Sequence, residues 1–370
     1  MEKKIAIALS EKSEEEAIKE AALQIKYIFP KTIKYLLVFF TPHYLPTNIL
    51  KELKFILKPL GIIGIQSPFL IFEEKIIEKG IIVSCINKDI YLKQIFIEKD
   101  EPQIVESTFR TSLINFKKEK KTILSVISSN NINPQSYLKS LEFSLGKFSY
   151  IVGCGFLKTT ELIVNNRIAK GVTNIIIGDG LNIQNLKLSG FIPLGRPFKI
   201  TKVSAKRNVI LEIENKPAIE IYKYYLEEKF ELAKKNFLFP LYPLGIKETK
   251  GYRLINIIDA LEDGSLVCFG EIKEDVLAQF MFFSPNSLFE SLKNKIKILE
   301  SEEENLIIII NSLIRKKILK EQAKEEIKLI RKEFSSNSKI IGFFSDYYFL
   351  NQQEGKTFLE TGNTLILKIT

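Results

Sequence analysis

The sequence contains no tryptophan and a single histidine, His43, in 370 residues. One histidine excludes a multi-histidine metal centre and leaves no base for a Ser–His or Cys–His nucleophilic pair near most of the chain's serines. The three cysteines, Cys85, Cys154 and Cys268, are far apart within apolar segments. That spacing is not a metal-binding or disulfide pattern and reads as buried thiols. Long hydrophobic runs are also missing. Runs such as Leu306 to Ile310 are far short of the ~20 residues needed to cross a bilayer. The amino terminus, Met1-Glu2-Lys3-Lys4, carries no signal-peptide pattern. The expectation is a soluble, cytoplasmic protein. A phosphate-binding loop is absent, because Gly153-Cys154-Gly155 is not followed by Gly-Lys-Ser/Thr. No metal or cofactor is implied, and catalysis is disfavoured.

The formal net charge is +10. Lysines alternate with glutamates along the helical segments, as between Lys316 and Glu333, and the densest cluster, Lys117 to Lys121, includes Glu119. This describes a solvated surface, so nucleic acid or an anionic membrane is an unfavoured partner. At 45% hydrophobic and 26% charged residues the chain is that of an ordinary globular protein.

The clearest organisation is a pattern that recurs at both ends. Ile5 to Leu9 reaches Ser10 and a helix opening at Ser13; Ala278 to Phe283 reaches Ser284 and a helix opening at Ser287. Ser13 with Glu16 and Ser287 with Glu290 have the spacing of capping boxes. Apolar strands follow at Leu36 to Phe40 and Leu306 to Ile310, then a helix, then Gly61 to Gln66 and Ile340 to Phe344, and finally Gly80 to Ile86 and Thr364 to Ile369. A shorter version occupies Thr122 to Gly153, and strands follow at Leu162 to Asn165 and Gly171 to Ile177, before the turn Gly178-Asp179-Gly180. The fold class is therefore mixed α/β (α+β). Pseudo-repeated strand-helix-strand units form twisted mixed sheets flanked by helices, in two domains, 1–189 and 190–370. In the second, Phe239 to Gly245 reads as a rigid extended segment, and a hairpin turns at Glu262-Asp263-Gly264.

Small polar residues that end strands before helices line one sheet edge, where open α/β sheets bind ligands. Ser284, Asn311, Ser312 and Arg315 occupy that edge in the closing unit, and Ser10, Thr41 and His43 in the first. A guanidinium there suits a carboxylate or phosphate. Gly153 and Gly155 read equally well as close backbone approach to a ligand or as tight packing.

Pro193-Leu194-Gly195-Arg196-Pro197, Ile200-Thr201, Pro217 to Tyr222, Tyr242 to Gly245, the hairpin with Arg253 and Asp259, and Gly342-Phe343-Phe344 with Asn363-Thr364 resemble the C-terminal FIST domain. Leu36 to Phe40, Gly64 to Ser67 and Val152 to Gly155 resemble the N-terminal FIST domain. The resemblance implies a sensory module that binds a small ligand such as an amino acid or other carboxylate and signals through a partner protein. The strand-edge positions and the resemblance together give Arg315, Ser312, Asn311, Ser284, Asn363, Gly64, Ser67, Gly153 and Gly155 as the expected ligand-binding residues. Departures occur at Ile65, Phe69 and Leu70, at Ser312-Leu313-Ile314 and at Tyr347-Tyr348, where the family carries Cys, Gly or Glu. These imply a different ligand or a lost pocket, which would leave a structural or interaction protein.

Overall fold

A computed structural model describes residues 5–30, 33–86, 92–113, 122–145, 150–177, 182–205, 208–236, 238–248, 251–299, 303–351 and 357–370. The lysine cluster 117–121 and the turn at 178–180 lie outside the described residues.

The chain forms three related units rather than a pattern confined to its two ends. The first is β1 (Ile5–Ser10), α1 (Glu14–Ile28), β2 (Tyr35–Phe40), α2 (Pro46–Leu57), β3 (Gly61–Gln66), a hairpin of β4 (Leu70–Phe72) and β5 (Lys75–Ile77), and β6 (Ile81–Ile86). The second repeats it: β7 (Leu92–Ile97), α3 (Pro102–Leu113), β8 (Thr122–Ile127), α4 (Pro134–Leu145), β9 (Tyr150–Gly155), a hairpin of β10 (Leu162–Val164) and β11 (Arg167–Ala169), and β12 (Val172–Ile177).

The third begins at β13 (Ile183–Leu188) and is interrupted by β14 (Phe191–Val203), β15 (Val209–Ile213), β16 (Lys216–Pro217), α5 (Ile219–Leu226), α6 (Phe230–Lys235), β17 (Leu244–Glu248), β18 (Gly251–Ala260), β19 (Leu266–Phe269) and β20 (Val276–Phe283). It then resumes with α7 (Pro285–Lys295), β21 (Leu306–Ser312), α8 (Leu313–Leu319), α9 (Gln322–Lys332), β22 (Lys339–Ser345), a hairpin of β23 (Tyr347–Asn351) and β24 (Thr357–Glu360), and β25 (Thr364–Ile369).

In each unit the second and third long strands run parallel, and the last strand lies antiparallel between the first and second. The hairpins do not stay at home. β4–β5 extends the third unit's sheet beyond β22, β10–β11 extends the first beyond β3, and β23–β24 extends the second beyond β9. This cyclic exchange covers the edge that each parallel strand would otherwise expose. It also joins residues on both sides of position 189 in two sheets. The inserted segment makes its own seven-stranded sheet, ordered β14-β20-β17-β18-β19-β15-β16.

Alternation along the strands explains the layers. Phe39, Ile63 and Ile65 from the first sheet, Leu124, Val126 and Val152 from the second, and Ile308, Ile310 and Phe343 from the third share one central core. The opposite faces meet helices. In α1 Ala17, Ile18, Ala21, Ala22 and Ile25 are buried, at helical spacing, against Leu36, Val38 and Val83.

Three local expectations are corrected. The last repeat's helix starts at Pro285, not Ser287: Ser284 is its N-cap, and its Oγ accepts from the Ser287 amide at 3.3 Å. Proline suits the first helical turn because it lacks only an N–H that would be unsatisfied there. Ala278 to Phe283 belongs to the inserted sheet, and the strand equivalent to β1 is β13. Phe239 to Leu241 forms a short 3-10 turn rather than extended chain.

Glycine recurs at one place in the strands that receive the hairpins. Gly64, Gly153 and Gly342 each occupy the fourth position of the outer parallel strand, opposite Ile163, Phe349 and Ile71 of the arriving hairpins. A Cβ on Gly153 would sit 2.1 Å from the Ser125 carbonyl oxygen and 2.5 Å from the Phe349 ring; on Gly342, 2.2 Å from the Ile309 carbonyl oxygen. Backbone oxygens cannot retreat as side chains can. Gly153→Ala is therefore expected to destabilise the chain by about 3 kcal/mol in urea unfolding, and to speed hydrogen exchange of the β23 amides. Wild-type protection at β23 in this variant would refute the packing argument.

Candidate functional site

The three units can be superposed residue by residue through their strand registers. Phe40, Ile127 and Asn311 are equivalent; Phe40 faces Ile81 and Ile127 faces Val172 across the sheet, while Asn311, one residue beyond the Ile310–Leu365 pair, meets Thr364 through its side chain. In two units this corner is apolar; in the third it is polar. The next residues, Thr41, Ser128 and Ser312, are hydroxyl-bearing in all three. Each hydroxyl accepts from an amide of the loop opposite: Gly80 at 3.2 Å, Gly171 at 3.0 Å and Gly362 at 3.0 Å. Ser312 thus performs a structural task that every unit repeats.

The polar corner is built around Arg315, which the sequence places at an open edge. The structure corrects this: Arg315 is 0% exposed, on α8. Its Nη1 donates to the carbonyl oxygens of Leu188 at 3.0 Å and Gly362 at 3.2 Å. Its Nε lies 2.9 Å from Glu326 Oε1, near enough for an ion pair although the N–H is not aimed along that line. The guanidinium also lies 5.4 Å above the Phe283 ring centre, a cation–π contact. Glu326 is held from the strands: Asn311 Nδ2 donates to Oε2 at 3.3 Å, and Thr364 Oγ1 lies 2.8 Å from Oε1. The same Thr364 hydroxyl is 3.0 Å from Asn311 Oδ1.

A second, half-buried pair adjoins this one. Lys187 Nζ on β13 lies 2.9 Å from Glu360 Oε1, while Asn363 Nδ2 reaches both Glu360 Oε2 at 3.2 Å and the Tyr348 hydroxyl at 3.0 Å. Burial, with the Glu360 carboxylate beside it, holds the Tyr348 phenol far above its usual range, so it stays protonated. The inserted sheet closes over this pair: Leu254 donates its amide to Glu360 at 3.5 Å, and Asn256 Nδ2 bonds to Thr361. Arg315 Nη2, Asn363 Oδ1 and Asn256 Oδ1 are buried without a hydrogen-bond partner among the described residues. Such groups are costly and mark a place where a further polar group would be stabilised.

Of the nine residues expected to bind ligand, Arg315, Asn311, Ser312 and Asn363 therefore converge. Ser284 caps the helix that follows Phe283 and takes part only through that neighbour. Ser67 Oγ donates to the Phe344 carbonyl oxygen at 2.7 Å, tying the first unit to the third. Gly64 and Gly153 admit the exchanged hairpins, and a Cβ on Gly155 would meet the Tyr347 ring at 2.2 Å, so packing accounts for all three. His43 is an exposed loop residue, its Nδ1 3.2 Å from Thr41 Oγ1. Glu326, Thr364, Glu360 and Lys187 were not anticipated. Glu326 left a trace in the sequence, since it shares the buried face of α9 with Ala323, Ile327 and Ile330.

Chemistry elsewhere is sparse. The three cysteines are free and buried, and burial pushes the Cys85 and Cys268 thiols up to about 12, which keeps them unreactive. No cluster of three metal-ligating side chains occurs among the described residues, and none of their helices is long and apolar enough to cross a membrane. A cavity of about 60 Å³ lies in the central core, lined by Leu37, Leu124, Ile175, Leu306 and Ile308 among others, toward the opposite ends of β2 and β21 from the polar corner. Its apolar walls offer a polar ligand nothing.

Among solved structures, the chain is similar to a cyanuric acid hydrolase from A. caulinodans, with 6% identity and a TM-score of 0.38, covering 99% of this chain and 98% of that one. It is also similar to PurLQS from Thermotoga maritima, with 8% identity and a TM-score of 0.20, covering 99% and 72%. At these scores neither likeness carries an argument about activity. The sequence-based exclusion of catalysis is nevertheless withdrawn, because a hydrolase is among the proteins matched over nearly the full length. No curated protein matches the sequence. The FIST N domain matches residues 34–216 and the FIST C domain residues 218–346, in the order expected from the sequence motifs. The chain belongs to the FIST family, whose domains are associated with sensory signal transduction.

Proposed function

We propose that the chain is a sensory protein whose third unit binds a small polar metabolite at the corner formed by Arg315, Glu326, Asn311, Thr364 and Asn363. The observation that carries this reading is the difference between equivalent corners. Two are closed with Phe40 and Ile81, and with Ile127 and Val172, so the fold does not require polar groups there. Two cations and two carboxylates offset one another, through Arg315 with Glu326 and Lys187 with Glu360. That balance favours a ligand without net charge, such as an amino-acid zwitterion, over a simple anion. The chain would act in the cytoplasm and pass its signal to a separate protein.

A second reading is a structural or interaction protein with a sealed pocket, and the complete burial of Arg315 favours it. Two variants test the buried ion pair. Glu326→Gln leaves the Arg315 charge buried and unpaired and is expected to cost about 3–5 kcal/mol. The double variant Arg315→Met, Glu326→Leu replaces the pair with apolar groups and is expected to fold within about 2 kcal/mol of wild type.

A thermal-shift panel of amino acids and small carboxylates then tests the proposal. A ligand at ~100 times its dissociation constant adds about 2.7 kcal/mol. The expected result is a shift for at least one amino acid with wild type and none with the double variant. The absence of any shift across the panel, or an equal shift in the double variant, would overturn binding at this corner.

A further inference from the structure

Arg315, Glu326 and Asn363 at the polar corner are completely buried, so a ligand enters only if part of the enclosure moves. The parts are not held equally. Leu319 of α8 and Ala323, Ile327 and Ile330 of α9 pack with Ile307 and Ile309 in the core of the third unit's sheet, and displacing either helix would open that core. The inserted sheet needs less from the ring. Its own core, which includes Phe198, Ile210, Tyr222, Ile257 and Phe280, is built from side chains of the insertion alone. Its contacts across the boundary are few. Phe191, Leu254 and Met281 form a small apolar cluster to which the ring adds only Ile318 of α8 among the described residues. Two of the polar contacts are long, Lys187 Nζ to the Tyr252 carbonyl oxygen at 3.4 Å and the Leu254 amide to Glu360 Oε2 at 3.5 Å. Asn256 Nδ2 donates to Thr361 more closely, and Arg253 lies 4.5 Å over the Phe358 ring centre. Phe269 beside Tyr347, with ring centres 5.0 Å apart, and the surface pair Lys139 and Glu271 reach the second unit.

The insertion is attached at one place. The chain enters it through Ser189-Gly190 and leaves it at Ser284, and the Ser284 amide donates to the Gly190 carbonyl oxygen at 2.8 Å. Phe191 and Phe283 pair immediately beyond. Two chain crossings joined side by side form a line about which the rest of the sheet can turn. β18, which carries the contacts to Glu360 and Thr361, is two strands across the sheet from β20, or about 10 Å from that line. Both faces of the boundary hold unpartnered buried atoms: Asn256 Oδ1 on the insertion, and Asn363 Oδ1 and Arg315 Nη2 on the ring. A polar ligand held between insertion and ring would satisfy such groups.

We propose that the inserted sheet is a lid, hinged at Gly190 and Ser284, that swings away to admit the ligand of the polar corner and closes over it. What the lid covers rests on the reading of that corner as a binding site; that the lid moves does not. A ligand that touches both bodies favours the closed state by its differential affinity for it, and so converts occupancy into the position of the insertion.

The test uses the full chain with Thr361→Cys, which places a thiol beneath the lid at a buried position touching Asn256. Cys154, buried in the central core shared by the three units, is the internal reference. In reaction with DTNB, followed peptide by peptide in mass spectrometry, the introduced thiol is expected to be modified at least about tenfold faster than Cys154. Its rate should also depend less on urea, because opening the lid exposes less surface than unfolding. Ile318→Ala, at the boundary, is expected to speed modification of the introduced thiol about fivefold, whereas Ile123→Val, in the core of the second unit, should speed that of Cys154 alone. Equal rates for the two thiols, no response to Ile318→Ala, or an equal response of both to Ile123→Val would overturn the lid. The Leu254 amide of the unmodified chain, which donates across the boundary, should exchange hydrogen ahead of the β21 amides, so the test stands even if Thr361→Cys does not fold. No metabolite is added. A mobile lid with no shift in the amino-acid panel would overturn the reading of the corner and leave the lid, and a fixed lid would overturn this inference alone.

Discussion

Everything in this fold depends on satisfying the outer edge of three parallel strands. β3, β9 and β22 each end a unit's own sheet, and each would present a row of unpaired main-chain groups if the unit stood alone. The solution is cyclic: every unit extends the sheet of another and is extended in turn. At Gly64 and Gly153 the hairpin side chains Ile163 and Phe349 occupy the space a Cβ would need, whereas at Gly342 the Ile309 main chain of the unit's own β21 does. The cyclic exchange also explains why the central core is shared. Residues from all three sheets face inward together, and none of the units could bury that face alone.

Part of this was legible in the sequence. The capping-box spacing at Ser13 located the start of α1, and the apolar runs gave most of the long strands within a residue or two. The exchange was not legible, because it pairs Gly153 with Phe349 and Gly342 with Ile71 across most of the chain, and local patterns carry no information about such partners. The same limit explains the misplaced repeat. Ala278 to Phe283 has the local character of β1, but its ladder is with β14 and β17 in the inserted sheet. Of the strands that do the exchanging, β10 was read as a strand but not its partner, while β4, three residues long, falls below the length at which period-two alternation can be read.

The candidate site was partly legible for a different reason. Ser312, Asn311 and Arg315 were found because small polar residues after a strand mark a sheet edge. Their environment was misjudged because an edge in one unit is an interior in the assembly. The inserted sheet lies over the ends of β24 and β25, and Leu188 and Gly362 turn their carbonyls toward Arg315. Glycine was the least informative signal. Gly64, Gly153 and Gly155 read equally well as ligand approach or as packing, and the neighbouring Ile163, Phe349 and Tyr347 side chains account for all of them.

The polar corner of the third unit runs against the economy of the rest of the molecule. A buried ion pair seldom stabilises a protein relative to apolar groups of similar volume, because desolvating both charges offsets most of their attraction. The chain itself contains the apolar alternative twice, at Phe40 with Ile81 and at Ile127 with Val172, on the same strand ends and with the same supporting hydroxyls. The fold therefore supplies no reason for Arg315, Glu326, Asn311 and Thr364. The unit that holds them is also the one interrupted by the inserted sheet, which contributes Phe283 beneath the guanidinium and the Leu254 main-chain donor beside Glu360. A polar cluster of this kind is specified by two bodies at once, the repeated ring and the insertion. A group that bound between them would alter how firmly the one holds the other, which is the physical requirement for a site whose occupancy is to be read elsewhere.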